Sequence, residues 1–106
     1  MAKKNNLDDI LKLINQYLKL LKKNGIKFEQ VYLYGSYAKG QAQEDSDIDL
    51  AIVADEWLPD KFDAQFELMK IGLKVDSRIE PHPFRKSEFD KSNPYVKEIL
   101  ETGKIL

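Results

Sequence analysis

The sequence predicts a single α/β domain in which a small mixed sheet is flanked by helices. Helical and strand patterns alternate along the chain, and the second strand pattern is apolar on both faces. At 106 residues, of which 42% are apolar and 33% charged, the chain is large enough for one hydrophobic core over residues 1–106. No linker, repeat or low-complexity tract divides it.

Composition narrows the classes of function. No apolar run approaches the roughly 18 residues of a membrane span, and the start of the chain lacks a signal peptide, so we expect a cytoplasmic protein. The formal net charge of -1 provides no positive field for direct DNA binding. Because the chain has no cysteine and one histidine, a metal would need oxygen ligands or His82, which favours Mg²⁺-type chemistry.

The first half of the chain predicts a helix and two strands. Apolar residues at three- and four-residue steps indicate an amphipathic helix over Leu7–Lys23, which Gly25 would stop. Residues 26–34 are rich in β-branched and aromatic side chains and predict a strand. After a turn-rich segment with one short helical turn, residues 47–54 predict a second strand inside the sheet.

The second half predicts a helix, a strand and a final helix. Pro59 stands at a first helical position, and four large apolar residues trace one face of the helix that follows. These four residues are Phe62, Phe66, Met69 and Leu73. Residues 75–80 predict a third strand that ends at Pro81, and Asn93-Pro94 begins a last helix before Gly103. All the helices are expected to form one layer against the sheet.

The candidate chemistry lies in Gly35-Ser36 and, after a loop of ten residues, Asp47-Ile48-Asp49. Side chains alternate along a strand, so Asp47 and Asp49 share a face, with Cα atoms about 6.5 Å apart. Two carboxylates this close favour a divalent cation with oxygen ligands. A glycine lets backbone N–H groups approach a phosphate and a serine adds a hydroxyl donor, so Gly35 and Ser36 indicate a phosphate cradle.

Either motif alone is commonly structural, but the combination at this spacing is rare. The segment GSYAKGQAQEDSDIDLAIV resembles the signature of the DNA polymerase beta nucleotidyltransferase superfamily, and in particular its minimal nucleotidyltransferase branch. The likeness is detailed over about residues 26–54. It implies the polymerase beta-like fold, binding of ATP or another NTP with two Mg²⁺ ions, and transfer of NMP with release of pyrophosphate.

The resemblance assigns roles residue by residue. Gly35 and Ser36 would hold the triphosphate, and Asp47 and Asp49 would bind the metals. The superfamily also uses a third carboxylate on the strand beside the aspartates, for which Glu80 and Asp76 are the candidates. We favour Glu80, which lies just before Pro81 and would approach Asp47 and Asp49 if the two strands are antiparallel. The minimal branch usually has aspartate there, so a glutamate is a departure.

Glu80 could also help to take the acceptor's proton. Three further residues have a functional and a structural interpretation. Lys39 could steady the triphosphate, but a lysine in a Gly-rich turn is usually solvated. His82 could be a ligand or a base, but between two prolines it is expected to fill the strand exit. Tyr37 could stack a base, although strand aromatics usually belong to the core.

The resemblance also implies a partner. Minimal nucleotidyltransferases are often encoded beside a HEPN-type protein. They resemble antitoxins because they silence that protein, in some cases by adding AMP to one of its tyrosines. The sequence shows no second domain to bind a tRNA, a primer or an antibiotic. This favours transfer of AMP from ATP to such a protein acceptor, or else a separately encoded substrate subunit. The alternative is a catalytically silent module that keeps the fold and binds the HEPN partner.

Overall fold

The computed structural model describes residues 7–43 and 45–106, and residues 1–6 and Glu44 lie outside this description. The expected α/β architecture is confirmed. The helices are α1 (Leu7–Lys23), α2 (Lys61–Leu73) and α3 (Pro94–Thr102), with a 3-10 turn at Lys86–Glu88. The strands are β1 (Gln30–Tyr34), β2 (Ile48–Ala54), β3 (Ile79–Arg85) and β4 (Lys104–Ile105). Within the described residues, no helix is long and apolar enough to cross a membrane.

The four strands form one mixed sheet in the order β3-β2-β1-β4. β1 is antiparallel to β2 and to β4, whereas β2 and β3 are parallel. β4, which the sequence did not predict, follows Gly103 directly and pairs with β1. The register places Asp49 opposite Tyr34 on one side and Glu80 on the other.

The path of β3 corrects two predictions. The strand was expected to end at Pro81, but it begins at Ile79 and runs through both Pro81 and Pro83. β3 is an edge strand, and alternate residues point their N–H groups to opposite edges, so both prolines can face the open edge without breaking the ladder. The expected antiparallel pairing was also wrong: Glu80 lies near the start of β3, which runs parallel to β2.

Helices cover both faces of the sheet, in place of the single layer that was expected. One core cluster joins α1 and α2 to one sheet face through Ile14, Leu50, Leu68 and Ile79. A second, smaller cluster joins α3 to the opposite face. Its buried members are Tyr34, Ala51, Val53, Phe84, Val96 and Ile99. The two clusters explain why β2 is apolar on both faces.

The terminal helices follow the sequence prediction closely. α1 spans the predicted Leu7–Lys23, and the chain leaves it through Gly25 at a φ of 79°. The buried Tyr17 hydroxyl of α1 donates a hydrogen bond of 2.9 Å to the Leu68 carbonyl of α2. At the start of α3 the Asn93 side chain accepts from the Tyr95 N–H at 2.9 Å, as an N-cap should.

The face of α2 that packs against the core differs from the face that its apolar spacing predicts. Asp60, and not the residue before Pro59, caps the helix by accepting from the Asp63 N–H at 2.9 Å. The residues that face the core are Ala64, Leu68, Ile71 and Gly72. The four large apolar residues instead form an exposed stripe, the outer face of α2: Phe62 (81% exposed), Phe66 (64%), Met69 (42%) and Leu73 (67%).

Close packing of α2 on the sheet explains this choice. A Cβ added to Gly72 would stand 3.3 Å from Ile79 Cγ2 and 3.5 Å from the Tyr17 ring. Small residues are therefore needed where the helix approaches the sheet, and the larger apolar residues are left on the opposite side.

Candidate active site

The first part of the site is the turn after β1. Gly35 has a φ of +77°, a conformation that side chains other than glycine rarely adopt. Its carbonyl accepts from the Ala38 and Lys39 N–H groups, both at 3.1 Å, which closes a turn directly after β1. A Cβ at Gly35 would also collide with the Asp49 carboxylate. Glycine is thus required here by the backbone and by the neighbouring acid together.

Asp49 is the second residue of β2, and its side chain lies on the face that α3 partly covers. It is 27% exposed, in contrast to Ile48 and Leu50, which are completely buried on the other face. Asp47 precedes the strand and is exposed. The two aspartates therefore differ in setting, since strand pairing holds only Asp49.

The structure places Glu80 directly opposite Asp49 in the parallel ladder. His82, two residues further along β3, lies on the same face because side chains alternate along a strand. Ligand atoms of Asp49, Glu80 and His82 all lie within 4.8 Å of one another. We call these three residues the acid–histidine cluster. Among the described residues it is the one group of three such side chains, and Asp47 does not belong to it.

Asp76, the alternative third acid, is engaged elsewhere. It lies in the turn before β3, where its Oδ1 accepts from the Arg78 N–H at 2.9 Å and its Oδ2 meets Arg78 Nη2 at 2.9 Å. These hydrogen bonds lower the pKa of the Asp76 carboxyl below its ordinary value. Asp76 therefore serves as a turn cap and ion-pair partner, and it lies outside the acid–histidine cluster.

The expected structural role of His82 as a strand exit was wrong, because the strand continues beyond it. Its imidazole Nε2 lies 3.9 Å from Asp49 Oδ1. Its spacing of two residues from Glu80 would have placed both side chains on one face, had the prolines not been taken as the end of the strand. Because no local pattern reveals the edge position of β3, the sequence favoured a structural role for His82 over a role as ligand or base.

A cavity of about 330 Å³ lies beside Asp49, between the end of β1 and α3. It is lined by Tyr34, Gly35, Lys39, Asp49, Tyr95, Glu98, Ile99 and Thr102. Lys39 reaches across it to form an ion pair with Glu98 of α3, which lowers the pKa of the Glu98 carboxyl. The Lys39 side chain thus ties the Gly35 turn to α3.

Two tyrosines that the sequence did not single out for this site line the cavity. The hydroxyls of Tyr34 and Tyr95 are 2.7 Å apart and share a hydrogen bond. Burial raises the pKa of Tyr34 above its usual range, and its contacts with Tyr95 raise it further. Tyr37 is buried in the main core, so its ring is not available to stack on a base.

A larger cavity, of about 570 Å³, lies at the other end of the sheet. It is lined by residues 25–29, 54–58 and one side of α2. Ala54 at its rim is five residues along β2 from Asp49, or about 16 Å by the rise of a strand. By size alone this cavity would be the better candidate for the active site. It contains neither the acid–histidine cluster nor the Gly35 turn, so the smaller cavity beside Asp49 is the candidate active site.

Comparison with known proteins identifies the family. The family described as "Polymerase beta, Nucleotidyltransferase" matches residues 5–106 of this chain. The chain belongs to the polymerase beta nucleotidyltransferase family. The predicted fold and the predicted resemblance to minimal nucleotidyltransferases are both confirmed.

Its relatives within this nucleotidyltransferase family include named protein-modifying enzymes. MJ1379 of Methanocaldococcus jannaschii, provisionally named a protein adenylyltransferase, is 35% identical over 93% of this chain and 95% of the relative. The protein adenylyltransferase MntA of Shewanella oneidensis is 32% identical over 87% of this chain and 63% of MntA. A crystal structure of a toxin–antitoxin with AMP-PNP has a TM-score of 0.61 and 31% identity, over 86% of this chain and 69% of that chain.

The acid–histidine cluster fits a divalent metal ion. Two ligands on opposite sides of an ion, each about 2.1 Å from it, are about 4.2 Å apart. The spread of the three donor groups, within 4.8 Å, is close to this value, and small side-chain rotations would close the difference. The donors include two carboxylates to balance the charge of the ion.

Proposed function

We propose that the chain is a metal-dependent nucleotidyltransferase that moves AMP from ATP to an acceptor on a HEPN-type partner protein, in an antitoxin role. One observation carries the proposal: Asp49 and Glu80 face each other across paired strands, beside the turn at Gly35. The protein adenylyltransferase names of MntA and MJ1379 support the transfer of AMP in particular.

In the proposed reaction Gly35 and Ser36 bind the triphosphate through backbone N–H groups and the serine hydroxyl. Asp49 and Glu80 would hold a divalent metal ion, and the exposed Asp47 would contribute to a second one. Such ions would supply positive charge that neutralises the phosphates in the transition state.

The chemical step is an in-line displacement at the α-phosphorus. The acceptor oxygen forms a bond to it, the bond to the oxygen that bridges to the β-phosphate breaks, and pyrophosphate leaves with that electron pair. The proton of the acceptor hydroxyl passes to a carboxylate of the site, for which Glu80 is the candidate. Asp49 is 27% exposed, which leaves room for an acceptor carried on another protein.

The outer face of α2 supports a protein partner. Phe62, Phe66 and Leu73 are each more than 60% exposed and lie along one side of the helix. Exposed apolar patches of this kind commonly mark protein–protein contacts. A solved structural relative, moreover, is a toxin–antitoxin complex of MntA with HpeT.

The experiment uses the purified full chain, ATP labelled at the α-phosphate, Mg²⁺ and the product of the neighbouring gene, tested as the HEPN-type partner. We expect label on the partner with the natural chain and none with Asp49→Asn at matched concentration. ATP labelled at the γ-phosphate should leave the partner unlabelled, which distinguishes AMP transfer from phosphorylation. Stable association with the partner but no labelling from any NTP would instead support the silent binding module.

A further inference from the structure

We propose that His82 is a metal ligand together with Asp49 and Glu80, so that this site binds Mn²⁺ and similar transition metals more tightly than Mg²⁺. The inference rests on the proposed metal-dependent function and deepens it. It assigns a nitrogen donor to a site for which the sequence favoured the carboxylates Asp47, Asp49 and Glu80.

The backbone geometry fixes the position of His82. Glu80 and His82 are separated by two residues on β3, and their partners on β2 are Asp49 and Ala51. All the side chains at these four positions therefore lie on one face of the parallel ladder. Because Ala51 is small, the imidazole has space to lean towards Asp49.

The side chain of His82 is suitably oriented and accessible. Its ring lies against the ring of Tyr34, with centroids 5.9 Å apart and a tilt of 55°. The side chain remains 31% exposed, so an ion and its water ligands can reach it. The Nε2–Oδ1 distance of 3.9 Å to Asp49 is too long for a hydrogen bond, but it suits two ligands of one ion.

The donor set determines the metal preference. Mg²⁺ favours oxygen ligands and near-ideal octahedral geometry, whereas imidazole nitrogen suits first-row transition metals. Two oxygens and one nitrogen therefore shift the preference away from Mg²⁺. We expect loss of the His82 ligand to weaken Mn²⁺ binding by at least about tenfold, since even residues that only orient a ligand contribute that much. Mg²⁺ binding should change far less.

The experiment exploits the fact that the sequence has one histidine. The tag-free full chain is loaded with Mn²⁺ and examined by pulsed electron paramagnetic resonance, in which imidazole ¹⁴N modulates the electron spin echo. Any such modulation must come from His82, and chain made with ¹⁵N-histidine should show a correspondingly altered pattern. This measurement needs no variant and so does not depend on a substitution being tolerated.

A titration of Mn²⁺ and, in competition, Mg²⁺ completes the test. His82→Gln should lose the nitrogen modulation and most of the Mn²⁺ preference while its melting temperature is kept. Asp76→Asn, which removes a carboxylate outside the cluster, is the matched control and should bind Mn²⁺ and Mg²⁺ like the natural chain.

The outcomes separate the two proposals. Tight Mn²⁺ binding with no nitrogen modulation, and equal affinities for the natural chain and His82→Gln, would overturn the role of His82 and leave metal-dependent transfer intact. No binding of either ion, with or without ATP, would overturn both.

Discussion

The two faces of β2 share one backbone but differ in their neighbours. Ile48, Leu50 and Ile52 lie under α1 and α2 and are completely buried. On the other face Ala51 and Val53 are buried near α3, whereas Asp49 stays 27% exposed. α3 covers only part of this second face, so charged groups at the start of β2 keep their contact with water.

The covered face of β2 therefore contributes to the stability of the fold, and its open face carries the candidate catalytic groups. Carboxylates would be costly on the covered face, because burial of an unpaired charge is strongly unfavourable. On the open face they can collect beside the Gly35 turn and a neighbouring strand. Variants on the covered face should therefore change the free energy of unfolding, and variants on the open face should change the reaction.

The largest expected effect is on the open face. Asp49→Asn and Glu80→Gln should each lower the rate of partner labelling by at least about 100-fold. Each variant loses a carboxylate that would hold the metal ion, and the negative charge of the transition state is then less well stabilised. Their melting temperatures should stay close to that of the natural chain. Labelling assays paired with thermal unfolding test this, and a surviving rate in Glu80→Gln would remove Glu80 from the catalytic group.

On the covered face, Leu50→Ala should lower the free energy of unfolding by about 2–5 kcal/mol, the usual cost of emptying a buried leucine site. Denaturant unfolding measures it. Under conditions where the variant remains folded, its rate of labelling should match the natural chain. A fully folded variant with a strongly reduced rate would contradict the division between the two faces.

A substitution at Gly35 should affect both the stability of the fold and the binding of ATP. Gly35→Ala should cost about 1–2 kcal/mol for its positive φ and, in addition, should displace the Asp49 carboxylate and weaken binding of ATP with metal. Gly40→Ala is the matched control, because Gly40 has a φ of +71° but nothing within 4 Å of an added Cβ. Calorimetry with ATP should separate the two variants, and equal losses of affinity would argue against the collision.

Outside both faces, Asp76→Asn should cost about 1 kcal/mol of stability, the usual value for a lost hydrogen bond, with little change in labelling. Arg78 lowers the pKa of Asp76 in the folded chain, so the pair stabilises the fold above the carboxyl's unfolded pKa. That contribution is lost as the pH falls through the lowered folded pKa. The stability gap between Asp76→Asn and the natural chain should hence narrow on acidification, and a gap that widens would contradict it.

The smallest effect on stability is expected at the outer face of α2. Phe66→Ser should change the free energy of unfolding by less than about 0.5 kcal/mol, because Phe66 is 64% exposed. It should nevertheless weaken association with the partner protein in a pull-down or titration. Glu67→Ser, on another side of the same helix, is the control, and equal binding by both variants would show that the partner contacts a different surface.

Several features followed from local sequence alone. The span of α1, the Asn93 cap of α3 and the turn at Gly35 depend on residues within a few positions of one another, so a single sequence was enough to predict them. Asp49 could also be predicted from local sequence, because it follows a Gly-Ser pair and lies at the start of a short apolar strand. Glu80 was also favoured over Asp76, although the antiparallel pairing used to place it was wrong.

By itself, then, the sequence determined the order of elements from α1 to α3 and the Gly35–Asp49 motif, because these depend on nearest neighbours and periodicity. The family followed from the resemblance of this motif to a known signature. Only the tertiary structure decided that β3 is a parallel edge strand, that His82 joins Asp49 and Glu80, and that α2 turns its largest apolar residues outward. Each of these depends on which distant segment supplies the packing partner. A proline is tolerated at an open edge, and a small residue is selected where helix and sheet approach closely.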